Sequence, residues 1–348
     1  MPETPRSLGY LLPAEWHPHS ATLMHWPSNR ETWPAERLPL VEKVYLEIIE
    51  VLHLYEPIHL VVENKGVYDR VMELIEKRAI DLNRIIFHIQ PINDVWARDC
   101  GPIFVRRNQA GNEEYAIIDW EYNAWGGKYP PFDSDNRIPE YIASKFGIRR
   151  FKPGVVLEGG SIETNGRRVL LTTESVLLNP NRNPGMNRQE IEQKLKEYLG
   201  VEEIIWLKEG LAGDDTDGHI DDLARFVRED TILAVTTDDP KDLNYSALQE
   251  NLDILHKTRF NIATLPLPQT KIEGTTVDGS EYVPASYANF YIANGVVLVP
   301  LYDNRFDQLA MDLFARFFPE REVAGIHCSD LVWGQGSIHC ITQQLYGI

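Results

Sequence analysis

From Asp99 onward the chain passes four times through one structural unit, although its residues do not repeat: two short apolar stretches joined by a turn, an amphipathic helix and a closing strand. "GPIFVRRNQAGNEEYAIIDW" is followed by the helical "RIPEYIASKFG", and "GSIETNGRRVLLTT" by "NRQEIEQKLKEYLG" and the strand "EEIIWL". "DDLARFVREDTILAVTT" leads to "SALQENLDILHKT" and "FNIATLPL"; "NFYIANGVVLVP" leads to "NRFDQLAMDLFARFF" and "VAGIHC". The turns "QAGNE", "TNGR" and "ANG" carry the Gly and Asn that hairpins need, because tight hairpin loops require positive φ, and "RED" is a plainer turn. Apolar residues recur three and four apart in the helices, as at Ile191, Leu195, Tyr198 and Leu199, and Asn187 with Glu190 forms a capping box.

A fifth unit is completed by joining the two ends of the chain. The C-terminal "GSIHCITQQLY" supplies one strand, the N-terminal "ATLMHWP" its partner, "LPLVEKVYLEIIEVLHLY" the helix and "IHLVV" the closing strand. The helix "GVYDRVMELIEK" and the strand "IIFHIQ" form an insertion between this unit and the first. A ring of small sheets is therefore expected, in which terminal strands are held by pairing and few edges are left open. An ordinary doubly wound α/β sheet would need single strands alternating with helices, and here hairpins intervene.

With 348 residues, 43% of them hydrophobic, the chain can bury a large core. No stretch reaches eighteen uninterrupted apolar residues, and "MPETPRSLGYLLPAEWHPHS" lacks a basic start followed by an apolar run, so a soluble cytoplasmic protein is expected. Cys100, Cys328 and Cys340 are the three cysteines; their number and distance apart argue for free thiols rather than a disulfide framework. A formal charge of −18 disfavours nucleic acid and anionic membranes as partners and favours a small cation.

If five units surround an axis, residues at equivalent places converge on it. The hairpin entrances carry Asp99, Glu158, His219, Asn289 and Cys340. Each has an ordinary explanation alone: a surface pair with Arg98, a turn carboxylate, a satisfied core histidine, a strand cap, a small buried hydrophobe. Five in register point to a shared site. A cysteine nucleophile works as the thiolate and wants a proton-handling partner, for which His219 is the candidate. Asp99 and Asp221, the latter two positions beyond His219 and expected on the same face of a strand, add negative charge that raises the thiol's pKa unless a cation enters. The expected substrate is a planar cation held from two sides, and a guanidinium, whose fork of N–H donors matches carboxylates, fits. His327 with Cys328, and His339 with Cys340, are strand neighbours expected to point to opposite faces, so neither pair predicts a metal site.

"WARDCGP", "LEGGS", "DTDGHID", "SYANFYIANG" and "IHCITQQ", with "LPAEWHPHSATLMHWP" ahead of them, resemble the agmatine deiminase family, relatives of the bacterial-type peptidylarginine deiminases within the guanidine-modifying penteins. The resemblance implies a five-bladed, pseudo-fivefold α/β propeller forming one catalytic domain over 1–348. It also implies hydrolysis of agmatine to N-carbamoylputrescine and ammonia, in putrescine biosynthesis. By the same resemblance Cys340 would attack the guanidinium carbon, His219 would serve as acid and then base, Glu158 would orient His219, and Asp99 and Asp221 would hold the substrate. Trp96 is expected to stack on the guanidinium plane, Trp125 and Asn289 to shape the site, and Asp215 to receive the distal amine. The resemblance calls for no metal and no organic cofactor, and for no macromolecular partner beyond a second copy of the chain in a homodimer. Where the family usually shows a triple glycine and Asn ahead of "IHC", this chain has Gly334, Gln335, Gly336 and Ser337; Asp215 stands where Glu is frequent. The alternatives are a peptidylarginine deiminase, an amidinotransferase using the same intermediate, a thiol amidase, which would leave Asp99 and Asp221 idle, and a non-catalytic guanidine binder.

Overall fold

A computed structural model describes residues 3–276, 279–302 and 305–348. Sixteen strands among them form five small sheets. The N-terminal segment supplies β1 (Ala21–His25), β2 (Ile58–Val62) and β3 (Ile85–Ile89). Then follow β4 (Ile103–Gln109), β5 (Asn112–Ile118) and β6 (Arg149–Phe151), and β7 (Glu163–Thr164), β8 (Val169–Thr173) and β9 (Glu203–Leu207). The next sheet holds β10 (Ala224–Arg228), β11 (Thr231–Thr236) and β12 (Asn261–Pro266). The fourth three-stranded sheet holds β13 (Tyr291–Ile292), β14 (Val296–Leu301) and β15 (Glu322–His327), and β16 (Gln343–Leu345) ends the series.

Each three-stranded sheet is an antiparallel hairpin whose second strand pairs in parallel with the third, reached through a crossover helix. Those helices are Ile138–Phe146, Arg188–Leu199, Tyr245–Leu255 and Asp307–Phe317; Asn304, at the start of the last expected helical segment, lies outside the described residues. The capping box of Asn187 and Glu190 is present. The two-residue loop between β4 and β5 places both Ala110 (φ 53°) and Gly111 (φ 88°) in the left-handed region, as a type I′ turn demands. The middle strands β2 and β8 are buried along their whole length and β11 and β14 nearly so, because crossover helices cover one side and neighbouring sheets the other.

The fifth sheet joins the chain ends as expected. β16 runs antiparallel to β1, with Ala21 opposite Leu345 and Leu23 opposite Gln343. β1 continues in parallel to β2 through the helix Leu38–Leu52, and β2 to β3 through Lys65–Ile75. The inserted helix and strand thus extend this sheet to four strands.

Two local expectations are corrected. Only Gln343–Leu345 of "GSIHCITQQLY" is extended, and Cys340 lies in a turn ahead of it. Asp221 does not share a strand face with His219, because Ile220–Asp222 is a 3₁₀ turn. Near the axis the chain must bend sharply to enter each hairpin, and tight turns do this where a pleated strand would run on.

Candidate active site

All five entrance residues lie just ahead of the first strand of their sheet. Asp99 is in the turn Ala97–Cys100 before β4. Glu158 and His219 immediately precede the 3₁₀ turns Gly159–Ser161 and Ile220–Asp222, which lead into β7 and β10. Asn289 and Cys340 stand shortly before β13 and β16. Equivalent placement in a ring brings them together, and all are buried.

Gly160 marks the meeting point. A Cβ there would stand 2.6 Å from His219 Nδ1, 2.8 Å from Asp99 Oδ1 and 3.0 Å from Asp221 Oδ2, so only a glycine lets the three groups converge. Its N–H donates to Asp99 Oδ1 at 3.0 Å, and the Trp125 indole N–H donates to Asp99 Oδ2 at 3.0 Å. Gly160→Ala should lower kcat/KM by roughly tenfold or more through displacement of these groups, in keeping with the cost of ångström-scale misplacement. Steady-state kinetics on the folded variant check it, and unchanged kinetics would show that the contact is not needed.

The cysteine is held by Asn289. The Asn289 Nδ2 amide donates to Cys340 Sγ at 3.2 Å and to Asp222 Oδ1 at 3.0 Å, while Oδ1 accepts from the His339 N–H at 2.9 Å. Asn289 therefore touches the sulfur itself, and a donor aimed at sulfur favours thiolate over thiol. Asp221 Oδ2 lies 4.0 Å from the sulfur. Upstream, the close packing of Gly334 on Trp33 and of Gly336 on Trp96 leaves no room for a Cβ, and Gln335 between them takes φ 75°.

Charge follows from this crowding. Burial opposes a charged His219, but Asp99, Glu158 and Asp221 outweigh it and raise the imidazole to about 10, so the ring is cationic at neutral pH. Burial, with Asp221 and Glu158 adding to it against the pull of His219, raises Asp99 to about 6. Burial first, then Asp221, Asp222 and Asp99, push the Cys340 thiol well above its usual range. The expected effect of the carboxylates on the thiol is thus present: without a cation beside it, Cys340 holds its proton.

A cavity of about 620 Å³ reaches this cluster from outside. Cys340 and Asp99 line it, with Trp96 and Trp125 on its wall and Asp215 further out. His219, Asp221 and Glu158 lie beneath that lining. His219 Nε2, Glu158 Oε2 and Asp221 Oδ1 are buried without a hydrogen-bond partner among the described residues. Among the described residues six acidic side chains line the cavity (Glu31, Glu63, Asp94, Asp99, Asp135, Asp215) against two basic ones, Arg30 and Lys128. Lys128 is itself engaged by Asp217 Oδ1 at 2.8 Å and by the Asp215 carbonyl. Asp215 accepts from the Tyr129 hydroxyl at 2.6 Å, whereas Asp214 turns inward to the His219 N–H at 3.1 Å.

Over residues 11–345 the sequence matches the family described as Porphyromonas-type peptidyl-arginine deiminase. The chain belongs to that family. Among deiminase relatives, the agmatine deiminase of Pseudomonas syringae pv. tomato is 36% identical over 365 residues, covering 98% of this chain and 96% of its own. The structure of the Enterococcus faecalis agmatine deiminase superposes with a TM-score of 0.90 at 30% identity, covering 99% of this chain and 98% of that one. A cysteine-to-serine variant of the C. jejuni agmatine deiminase with substrate bound gives 0.86 at 30% identity, covering 97% and 96%. The five sheets are the blades of the pentein propeller that these deiminases share.

A second layer of charge supports the entrance residues, and sequence reasoning missed it. Arg182, fully buried, donates from Nε to Glu158 Oε1 at 2.8 Å and also pairs with Asp217. Glu158 Oε2 stands 3.9 Å from His219 Nε2, so one oxygen is anchored while the other faces the imidazole. His339 bridges Asp221 Oδ2 at 2.7 Å and Glu15 Oε2 at 2.8 Å; Arg225 donates from Nε to Glu163 Oε2 at 2.6 Å and forms an ion pair with Glu15 Oε1 at 2.9 Å. The signal available was the run "IHC": in a turn rather than a strand, His339 and Cys340 both reach the axis, the ring behind Asp221 and the sulfur beside Asn289.

Proposed function

We propose that the protein is an agmatine deiminase acting in the cytoplasm in putrescine biosynthesis, with 1–348 forming one catalytic domain and Cys340 as nucleophile. One observation carries this reading: an acidic cavity ends on a thiol set among carboxylates, with the His219 imidazole between Asp99 and Glu158. The names of the full-length relatives support it. A guanidinium entering beside Asp99 and Asp221 neutralises the charge that keeps the thiol protonated, so substrate binding favours loss of that proton to water. The thiolate attacks the central carbon. His219 gives its proton to the departing nitrogen, which leaves as ammonia, and a cationic amidino-thioether remains on Cys340. Neutral His219 then takes a proton from water as the water oxygen attacks the same carbon; collapse expels the sulfur, which takes up the hydroxyl proton and is restored as the thiol, and leaves the ureido product. Glu158, anchored by Arg182, favours the charged ring in both steps, while Trp96 and Trp125 form the apolar wall against the planar group.

The far end of the substrate selects agmatine over the peptidylarginine alternative. Agmatine ends in an amine and arginine adds a carboxylate, which would face an acidic cavity whose Lys128 is already engaged. Asp215, held by Tyr129, suits the amine. Agmatine, free arginine and C-terminal arginyl peptides, scored for ammonia and ureido product, provide the test. For agmatine kcat/KM should exceed that for arginine by at least about 10²-fold, the scale set by desolvating a carboxylate against like charge. Equal use of arginine or of the peptide would overturn the assignment.

The free-enzyme pH profile is a second test. Asp99 must be ionised to hold a cation, and below about pH 6 it takes up a proton, so kcat/KM should fall on the acid side of that value. A kcat/KM that stays level through that value would show that ionisation of Asp99 is not needed for substrate capture.

A further inference from the structure

We propose that His25, Cys100 and Asp135 form a binding site for a divalent cation of the zinc class, apart from the deiminase residues. The three come from separate elements: His25 ends β1, Cys100 ends the turn Ala97–Cys100, and Asp135 opens the 3₁₀ turn Asp135–Arg137. One potential ligand atom from each lies within 4.8 Å of the others, and all three residues are buried. Two of the three are already oriented. His25 Nδ1 faces the Asp94 carbonyl at 3.2 Å, which places the ring proton on Nδ1 and leaves the lone pair on Nε2. That Nε2, on a wholly buried ring, has no hydrogen-bond partner among the described residues. A histidine fixed by a carbonyl on one nitrogen and open on the other is the arrangement that metal-ligating imidazoles use. The Asp135 carboxylate accepts the N–H groups of Asn93 at 2.7 Å and Asp94 at 3.1 Å, which hold it in place and leave lone pairs over.

The donor set selects the ion. Nitrogen, sulfur and oxygen together suit a borderline cation such as Zn²⁺, whereas Ca²⁺ and Mg²⁺ want oxygen alone. Ligand bonds of about 2.0 to 2.3 Å in a tetrahedron put donors roughly 3.5 Å apart, so the three would draw in by about an ångström. Cys100 exchanges a contact: its S–H now points to the Trp96 carbonyl at 3.2 Å, and binding would replace that contact by a metal–sulfur bond with the proton released to solvent. Asp135 lines the large cavity, which gives the ion an entrance and a water for the fourth position. Cys100 directly follows Asp99, so the site shares a turn with a guanidinium-binding carboxylate.

Cobalt is the probe, because Co²⁺ bound to thiolate shows a sulfur-to-metal charge-transfer band. The full-length Cys340→Ser protein removes the competing active-site thiol. It should take up one Co²⁺ per chain with that band and with the intense visible absorption of four-coordinate cobalt, and Zn²⁺ should displace it. Adding Cys100→Ser, a near-isosteric change, should abolish the band; adding His25→Ala should weaken uptake by at least about tenfold. Thermal denaturation checks that each variant is folded, and Cys100→Ser alone decides if His25→Ala is not. No cobalt uptake, or a charge-transfer band that survives Cys100→Ser, would overturn the proposal.

Discussion

Cys340→Ser should reduce kcat for agmatine by at least about 10⁴-fold, because a hydroxyl near neutral pH is a far weaker nucleophile than a thiolate and no second nucleophile replaces it. The fold should survive, since the hydroxyl can keep the contact with Asn289 Nδ2 and occupies nearly the same volume. Agmatine affinity should be largely retained, because the acidic cavity and Asp99 are untouched. Equilibrium binding to the inactive variant, beside its turnover, separates the two effects; retention of more than a small fraction of activity would sink the covalent route. The three cysteines give an internal control. Cys100 is 3% exposed, Cys328 0% and Cys340 6%, and only Cys340 lines the cavity. A haloacetamidine, shaped and charged like a guanidinium, should therefore alkylate Cys340 and leave the other two, as read by peptide mass spectrometry.

The ring was legible because its information is local and repeated. Hairpin turns, helix periodicity and caps sit inside each unit, and the fifth unit could be assembled from the chain ends because a sheet needs a partner for "ATLMHWP". Five polar residues at equivalent entrances were legible for the same reason. The support behind them was not. Arg182 lies in the loop "NPNRNPG" with no periodic mark, and its job depends on a contact with Glu158 across 24 residues. Glu15 meets His339 across 324 residues, a pairing that only ring closure creates. The strand assigned to "GSIHCITQQLY" failed where apolar alternation ran through residues that bend to face the axis. That error hid His339, since strand neighbours point apart and turn neighbours need not.

Asp221→Asn gives the cleanest test of the carboxylate clamp, and the expected loss in kcat/KM is about 10³-fold, the scale of removing one partner from a buried ionic contact. Asp99 is a poorer choice. Both its oxygens already accept donors, from Gly160 N–H and Trp125 Nε1, so an amide there would set a donor against a donor and disturb the fold as well as the charge. In Asp221 only Oδ2 is engaged, by His339 Nδ1 at 2.7 Å, and Oδ1 has no partner among the described residues. An asparagine can keep its oxygen on His339 and present its NH₂ where Oδ1 stood, offering donors to a guanidinium that has donors alone. Binding should therefore weaken along with turnover, and KM should rise, while the melting temperature stays near the parent value. A second effect acts on the nucleophile. Asp221 is the foremost carboxylate raising the Cys340 thiol, so its removal should bring that thiol's pKa down and speed alkylation of the free enzyme by a neutral reagent such as iodoacetamide. Slower use of agmatine together with faster neutral alkylation is the signature of a clamp that holds the substrate and restrains the thiol until substrate arrives. If both rates fall together the residue acts on the sulfur by position alone, and if kcat/KM stays within tenfold of the parent the guanidinium is held elsewhere.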